Sequence, residues 1–153
     1  MKTYYWIFLI FLTSCALNSE QESALHKAVT DYVASHNTGA VMSYVSLTHP
    51  SVVTYYKDLG DSVFQSKFEL ASDDTEGYFL QDATVRSIKS GNGKIHVLYR
   101  FLRVDQDYLA PDAEEFEIVA ISEDDGKKWF FIEMNDYKND AIYAPENRLI
   151  DTK

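Results

Sequence analysis

The sequence predicts an α+β domain, with helices first and an antiparallel sheet after them. Three observations carry this. Apolar residues recur at helical spacing through the first half of the chain and alternate at a period of two through much of the second. Between two such alternating runs stands Ser90-Gly91-Asn92-Gly93, a hairpin turn. The predicted arrangement is three N-terminal helices packed on one face of a curved antiparallel sheet.

Ahead of the domain, Lys2 precedes the apolar run of residues 4–12. A basic start, roughly 7–15 apolar residues and small residues at a cut are the parts of a secretory leader. The run is shorter than the ~20 residues of a spanning helix. Residues 1–14 are therefore read as a leader, 15–19 as a short tether and 20–153 as one domain.

Ser19 stands three residues before Glu22, the spacing of a capping box, which predicts a helix start there. Ala24, Leu25, Ala28, Val29, Tyr32 and Val33 form its apolar stripe, and Asn37-Thr38-Gly39 ends it. A second helix is expected over residues 39–46, with Val41, Tyr44 and Val45 inward. Pro50 interrupts the helical run, and the β-branched and aromatic residues 51–56 predict a short strand. After the turn Asp58-Leu59-Gly60-Asp61, a third helix carries Val63, Phe64 and Phe68. Residues 72–77 are a polar loop.

The strands follow at residues 78–89, 94–104, 114–122 and 128–134, with a loop around Ala110-Pro111-Asp112. The tail, 135–153, is polar apart from Ile142, Tyr143, Leu149 and Ile150, and is expected along the sheet edge.

The 153 residues suit one domain with a real core. The formal net charge is −10, and no Lys/Arg cluster stands out, which argues against nucleic acid as a partner. Cys15 is the only cysteine, so an internal disulfide is excluded. The His residues have neither metal-ligand spacing nor a cysteine partner, and no phosphate-cradling glycine loop is present. No cofactor or metal is expected.

Leu12-Thr13-Ser14-Cys15 resembles the lipobox of bacterial lipoproteins. The resemblance implies cleavage before Cys15 and lipid on its sulfur, with the membrane as partner through that anchor. Two or more acyl chains give stable anchoring where one does not. Ala16, in place of Asp after the cysteine, implies the outer membrane under a sorting rule known for many Gram-negative lipoproteins.

The order of elements resembles the nuclear transport factor 2-like superfamily, which includes SnoaL-like proteins. The matching features are a long first helix ending His36-Asn37-Thr38-Gly39, a second ending Thr48-His49-Pro50, a third after one short strand, and a closing strand at Gly126-Lys127-Lys128-Trp129-Phe130-Phe131-Ile132. The resemblance implies a cone-like fold over residues 20–136. For the enzymes of that superfamily it implies an Asp or Asp–His pair inside the cone. Asp58, Asp61 and His96 have the right chemistry but sit in no recognisable motif.

Ser122-Glu123-Asp124-Asp125-Gly126-Lys127-Lys128-Trp129 fits the Asp-box pattern of β-propeller sialidases, in which Asp bonds turn amides and Trp packs beneath. A single copy is read as a turn stabiliser. On the second strand Ile95, Val97, Tyr99 and Phe101 should face the helices. His96, Leu98, Arg100 and Leu102 then lie on an open face, beside Arg86, Glu117 and Glu133. Cross-strand charge pairs or a homodimer surface are the expected use of that face; a His–Glu acid/base pair is the alternative.

Tyr32, Tyr44, Tyr99 and Phe116 are the candidate ligand-pocket residues, apolar with hydroxyls to orient a small ligand. The functional expectation is an envelope lipoprotein whose domain binds a small apolar ligand or a protein partner without catalysis. One alternative is an isomerase, cyclase or dehydratase using an in-cone carboxylate with a tyrosine. Another is a dimerising interaction module.

Overall fold

The computed structural model describes residues 17–69, 78–105 and 113–152. Cys15, the leader, the loop at 72–77 and the loop at Ala110-Pro111-Asp112 lie outside the described residues. The architecture is α+β. Helices α1 (Ser19–Asn37), α2 (Val41–Leu47), α3 (Pro50–Asp58) and α4 (Asp61–Glu69) precede the strands. The strands are β1 (Tyr78–Gly91), β2 (Lys94–Asp105), β3 (Glu114–Ser122) and β4 (Phe130–Glu133), and helix α5 (Met134–Lys138) leads into the tail. The strands form one antiparallel sheet in the order β1-β2-β3-β4.

Helix α1 starts one residue away from the expected cap. Asn18, not Ser19, accepts from the amide of Gln21 at 2.9 Å, and the Gln21 side chain accepts from the Asn18 amide at 3.0 Å. Asn and Gln thus make the reciprocal pair expected of Ser19 and Glu22.

The expected strand at 51–56 is helix α3, so among the described residues four helices rather than three precede the sheet. Proline disfavours helix in the residue before it but suits the first helical position. His49 is accordingly extended and caps the helix, its Nδ1 accepting from the Ser51 amide at 3.3 Å. Burial of Val52 at 1% exposure outweighs the strand preference of Val52, Val53, Tyr55 and Tyr56. What remains of an extended segment is a single bridge, Thr48 parallel to Phe131, with the His49 amide donating to the Phe131 carbonyl at 2.8 Å.

Register decides the two faces of the sheet. Tyr99 opposes Ile118, and Ile118 opposes Glu133, so these share the inner face with Ile95, Val97 and Phe101. Helices α1, α2 and α4 cover that face: Tyr32 stacks on Phe131, and Lys67 reaches Glu133. Glu133 therefore does not lie beside His96, contrary to the alternation drawn from sequence alone.

His96 shares the outer face with Leu98, Val119, Ile121 and Ile132. That face is not open at His96, which is fully buried. The tail crosses it instead of following the edge, burying Tyr137, Ile142, Tyr143 and Ile150. Five consecutive outer and inner residues of β3, from Ile118 to Ser122, are buried as a result, because both faces there are covered.

β4 begins at Phe130 rather than 128 because the turn before it holds Lys127 and Lys128. The Asp124 carboxylate accepts from both of their amides, at 3.2 and 2.9 Å, and from the Ser122 hydroxyl at 2.9 Å. The Trp129 indole donates to the Gly126 carbonyl at 3.0 Å. The Asp-box residues stabilise a turn, as expected. These bonds to the Lys128 amide and its neighbours hold the Asp124 carboxyl below its ordinary pKa, against a smaller opposing effect of burial.

Candidate functional site

A groove of about 660 Å³ runs between α1 and the edge of the sheet. Its apolar walls are Leu25, Val29 and Val33 of α1, Val85 and Ile88 of β1, and Tyr99 and Phe101 of β2. Leu17, just ahead of α1, closes one end. The α1 residues recur every three or four positions from Glu22 to Ala34, so the groove follows about 18 Å of helix.

Two polar ties hold α1 across this space. At its C-terminal end Asn37 pairs with the backbone of Leu80 on β1: Nδ2 donates to the carbonyl at 2.9 Å, and Oδ1 accepts from the amide at 2.8 Å. At its N-terminal end Gln21 Nε2 donates to the Asp125 carbonyl at 3.0 Å. Gly126 beside it has φ +84°, and a Cβ there would stand 2.5 Å from Gln21 Cγ, so this crossing needs glycine.

Between the ties β1 departs from regular pairing. Its register with β2 shifts between Gln81 and Thr84 and again between Val85 and Ser87, and Asp82 has φ 51°. Bulges bend a strand and re-aim its side chains. Here they leave Val85 46% exposed at the groove instead of packed beneath α1.

The titratable groups of the lining are unevenly placed. Glu22, His26 and Asp82 stand at the exposed rim. Tyr99 is buried in the wall, and burial pushes its hydroxyl up to about 12. Lysine and arginine are absent from the lining among the described residues.

The four aromatic candidates do not share one cavity. Tyr32 and Tyr44 meet, hydroxyl to hydroxyl at 3.0 Å, in a filled core where Tyr32 stacks on Phe131 with ring centres 4.3 Å apart. Burial raises both hydroxyls well above the ordinary tyrosine value. Tyr99 lines the groove, and half-buried Phe116 lies under the Arg103 guanidinium. The sequence places Leu25, Val29 and Val33 in the apolar stripe of α1 and Phe101 on the helix-facing side of β2, but marks neither these nor Val85 and Ile88 as pocket residues.

Two polar clusters lie elsewhere. On the inner face Lys67 bridges Glu133 at 3.0 Å and Asp136 at 2.9 Å, and Tyr56 donates to Asp136 at 2.9 Å. Burial alone would lower Lys67, but the two carboxylates raise it above the ordinary lysine value. His36, beside Tyr44 and Tyr78, is lowered by burial, against the opposing bond to Asn37.

On the outer face the amides of Leu149 and Ile150 donate to the Tyr137 oxygen at 3.0 and 3.1 Å. The Tyr137 proton therefore points to His96 Nδ1, 2.9 Å away, and the other ring nitrogen faces the Tyr143 hydroxyl at 3.3 Å. Burial, helped by Lys94 and His49, lowers His96 to about 4, so it is neutral. This cluster sews the tail to the sheet, with His96, Tyr137 and Tyr143 all buried.

Arg100 opposes Glu117 across the strands and pairs with Glu115, the charge pairing expected of this face. Among the described residues, no group of three or more His, Cys, Asp or Glu is placed to hold a metal ion, and no helix is long and apolar enough to cross a membrane.

The chain matches no known protein-family profile and no curated protein. It is similar to one solved structure described as an uncharacterized cystatin fold protein from Novosphingobium aromaticivorans, at 19% identity. The match covers 70% of this chain and 96% of that one, with a TM-score of 0.35, a likeness that places no residue and assigns no activity.

Proposed function

We propose that this chain is a lipid-anchored protein of the bacterial cell envelope, outer membrane favoured, whose domain binds a small apolar ligand in the α1–β1 groove. The groove carries the proposal. Its volume falls within the roughly 300–1,000 Å³ of ligand sites, and an apolar lining with a few polar groups at the rim is their usual chemistry. The anchor rests on the leader and on Leu12-Thr13-Ser14-Cys15.

A binding role suits the groove better than catalysis. Its carboxylates and His26 stand in water at the rim, and the one titratable group in its wall, Tyr99, is a weak acid at about 12. A small ligand also suits it better than a protein partner. Among the described residues β1 is an edge strand to which a peptide strand would add, but bulges interrupt it, as they do where strands avoid partners. The tail over His96 leaves less of the outer face for a second copy.

The nuclear transport factor 2-like reading of the fold belongs to the same proposal. Its support is the helix-first layout and the Thr48–Phe131 bridge, which stands between the second and third helices, where that layout calls for a short strand.

Two experiments test the proposal. Metabolic lipid labelling and membrane fractionation of wild type and Cys15→Ala should show label and membrane association lost together; label retained in the variant refutes the anchor. Native mass spectrometry of the full chain from its own membrane should show a non-covalent adduct, absent from Val29→Glu.

A further inference from the structure

We infer that the α1–β1 groove is built for one extended acyl chain, carried on an uncharged head group and drawn from the membrane bilayer. The inference rests on the groove being an apolar-ligand site and goes on to name the ligand's chemistry.

Shape is the first argument. The spread of the lining points to a long site: it follows about 18 Å of α1 from Glu22 to Ala34, bordered by aliphatic residues of α1 and β1 and by Tyr99 and Phe101 of β2. A compact ring system would touch one or two turns of that helix, whereas an extended chain meets Leu25, Val29 and Val33 in succession. The ties Asn37–Leu80 and Gln21–Asp125 hold the walls at both ends, so the groove is formed before a ligand arrives.

Charge is the second argument. The lining carries the carboxylates of Glu22 and Asp82 and, among the described residues, no lysine or arginine. The whole chain is at −10. A fatty-acid anion would bring a third carboxylate to this rim with no lysine or arginine of the lining to meet it, so like charges oppose it. An ester or alcohol head brings no such penalty, and Thr30 and Gln81 at the rim offer it hydrogen-bonding groups.

Position is the third. Leu17 lines the groove and stands two residues after Cys15, a span of at most about 7 Å of extended chain. One end of the groove therefore lies next to the point of anchorage, within reach of the bilayer that supplies the lipid.

The test uses the full chain isolated from its own membrane and returned to phosphatidylcholine vesicles. The vesicles contain a monoacylglycerol bearing a diazirine at mid-chain, and adducts are mapped by mass after irradiation. Adducts should concentrate on the peptides holding Val29 and Val33 and on those holding Ile88 and Tyr99. Unlabelled monoacylglycerol should suppress them at a concentration about ten-fold below that needed for oleate. The double variant Glu22→Lys, Asp82→Asn should narrow that gap by admitting oleate; Asn tolerates the backbone at position 82.

Equal competition by oleate and monoacylglycerol in the wild type would overturn the head-group assignment. Adducts spread equally over exposed Met42 and Leu59 would overturn the acyl-chain site. If Nile red, an uncharged fused-ring probe, then still binds wild type saturably and Val29→Glu does not, the acyl inference fails while the groove remains an apolar-ligand site. Loss of both results overturns both.

Discussion

On one side α1 presses Tyr32 and His36 into rings from Tyr44, Tyr78 and Phe131. On its other side Leu25, Val29 and Val33 look across a groove towards Tyr99 and Phe101. The helix is the same and so is the sheet. The difference lies in what stands opposite. β4 and β3 pair in regular register under the filled side, whereas the twice-bulged β1 borders the open side. Large aromatic side chains fill one space, and the aliphatic residues facing a bent edge strand border the open groove. A cavity here is a consequence of strand irregularity, held by side-chain ties at both ends of the helix.

On the filled side Phe131 is 1% exposed and stacked on Tyr32. Phe131→Ala should cost about 3–5 kcal/mol in urea unfolding. A loss below about 1 kcal/mol would mean that the aromatic side is not the tightly packed one.

Lys67→Met comes next. It leaves Glu133 and Asp136 facing each other without their cation, and should cost about 3 kcal/mol at neutral pH. Adding Glu133→Gln and Asp136→Asn to the Lys67→Met background should recover part of that loss; no recovery would argue for packing alone.

The tail supplies a third test. His96 has a folded pKa of about 4 against the ordinary 6.5. A depressed histidine favours the neutral form in the fold, so the unfolded chain binds more protons as pH falls from 6.5 towards 4. Stability is then complete above 6.5 and declines by about 3 kcal/mol across that window. His36 and His49, also lowered, add to the same slope. His96→Gln should flatten it; an unchanged slope would place the proton uptake elsewhere.

The smallest stability effect belongs to the groove itself. Val29→Glu should change unfolding free energy by less than about 1 kcal/mol, since its side chain borders water. It should nevertheless abolish binding of an uncharged apolar probe. A large stability loss would show that Val29 is part of the packed core.

Much of the fold was legible because periodicity is local. The first two helices, the hairpin at Ser90-Gly91-Asn92-Gly93 and the Asp124 turn follow from residues close in sequence. Residues 51–56 misled because Val and Tyr favour strands, while Pro50 and the burial of Val52 favour helix, and burial is a tertiary fact. His96 misled for the same reason: alternation gives its face, but only the fold brings Tyr137 and Tyr143 over it. Tyr32 and Tyr44 do meet, yet in a filled space, because whether aromatic residues line a cavity depends on the strand opposite. The bulges that open the groove leave no clear mark in residues 81–87, since Asp82 takes a left-handed turn without a glycine.

Whether the open side of α1 borders a ligand site is decided by native mass spectrometry of wild type and Val29→Glu, each purified as the full chain from its own membrane. An added mass is expected on the folded wild type, lost on denaturation and absent from the variant. Lipid bound covalently at Cys15 would persist through denaturation in both. The same non-covalent mass on both proteins, or on neither, would rule the ligand site out.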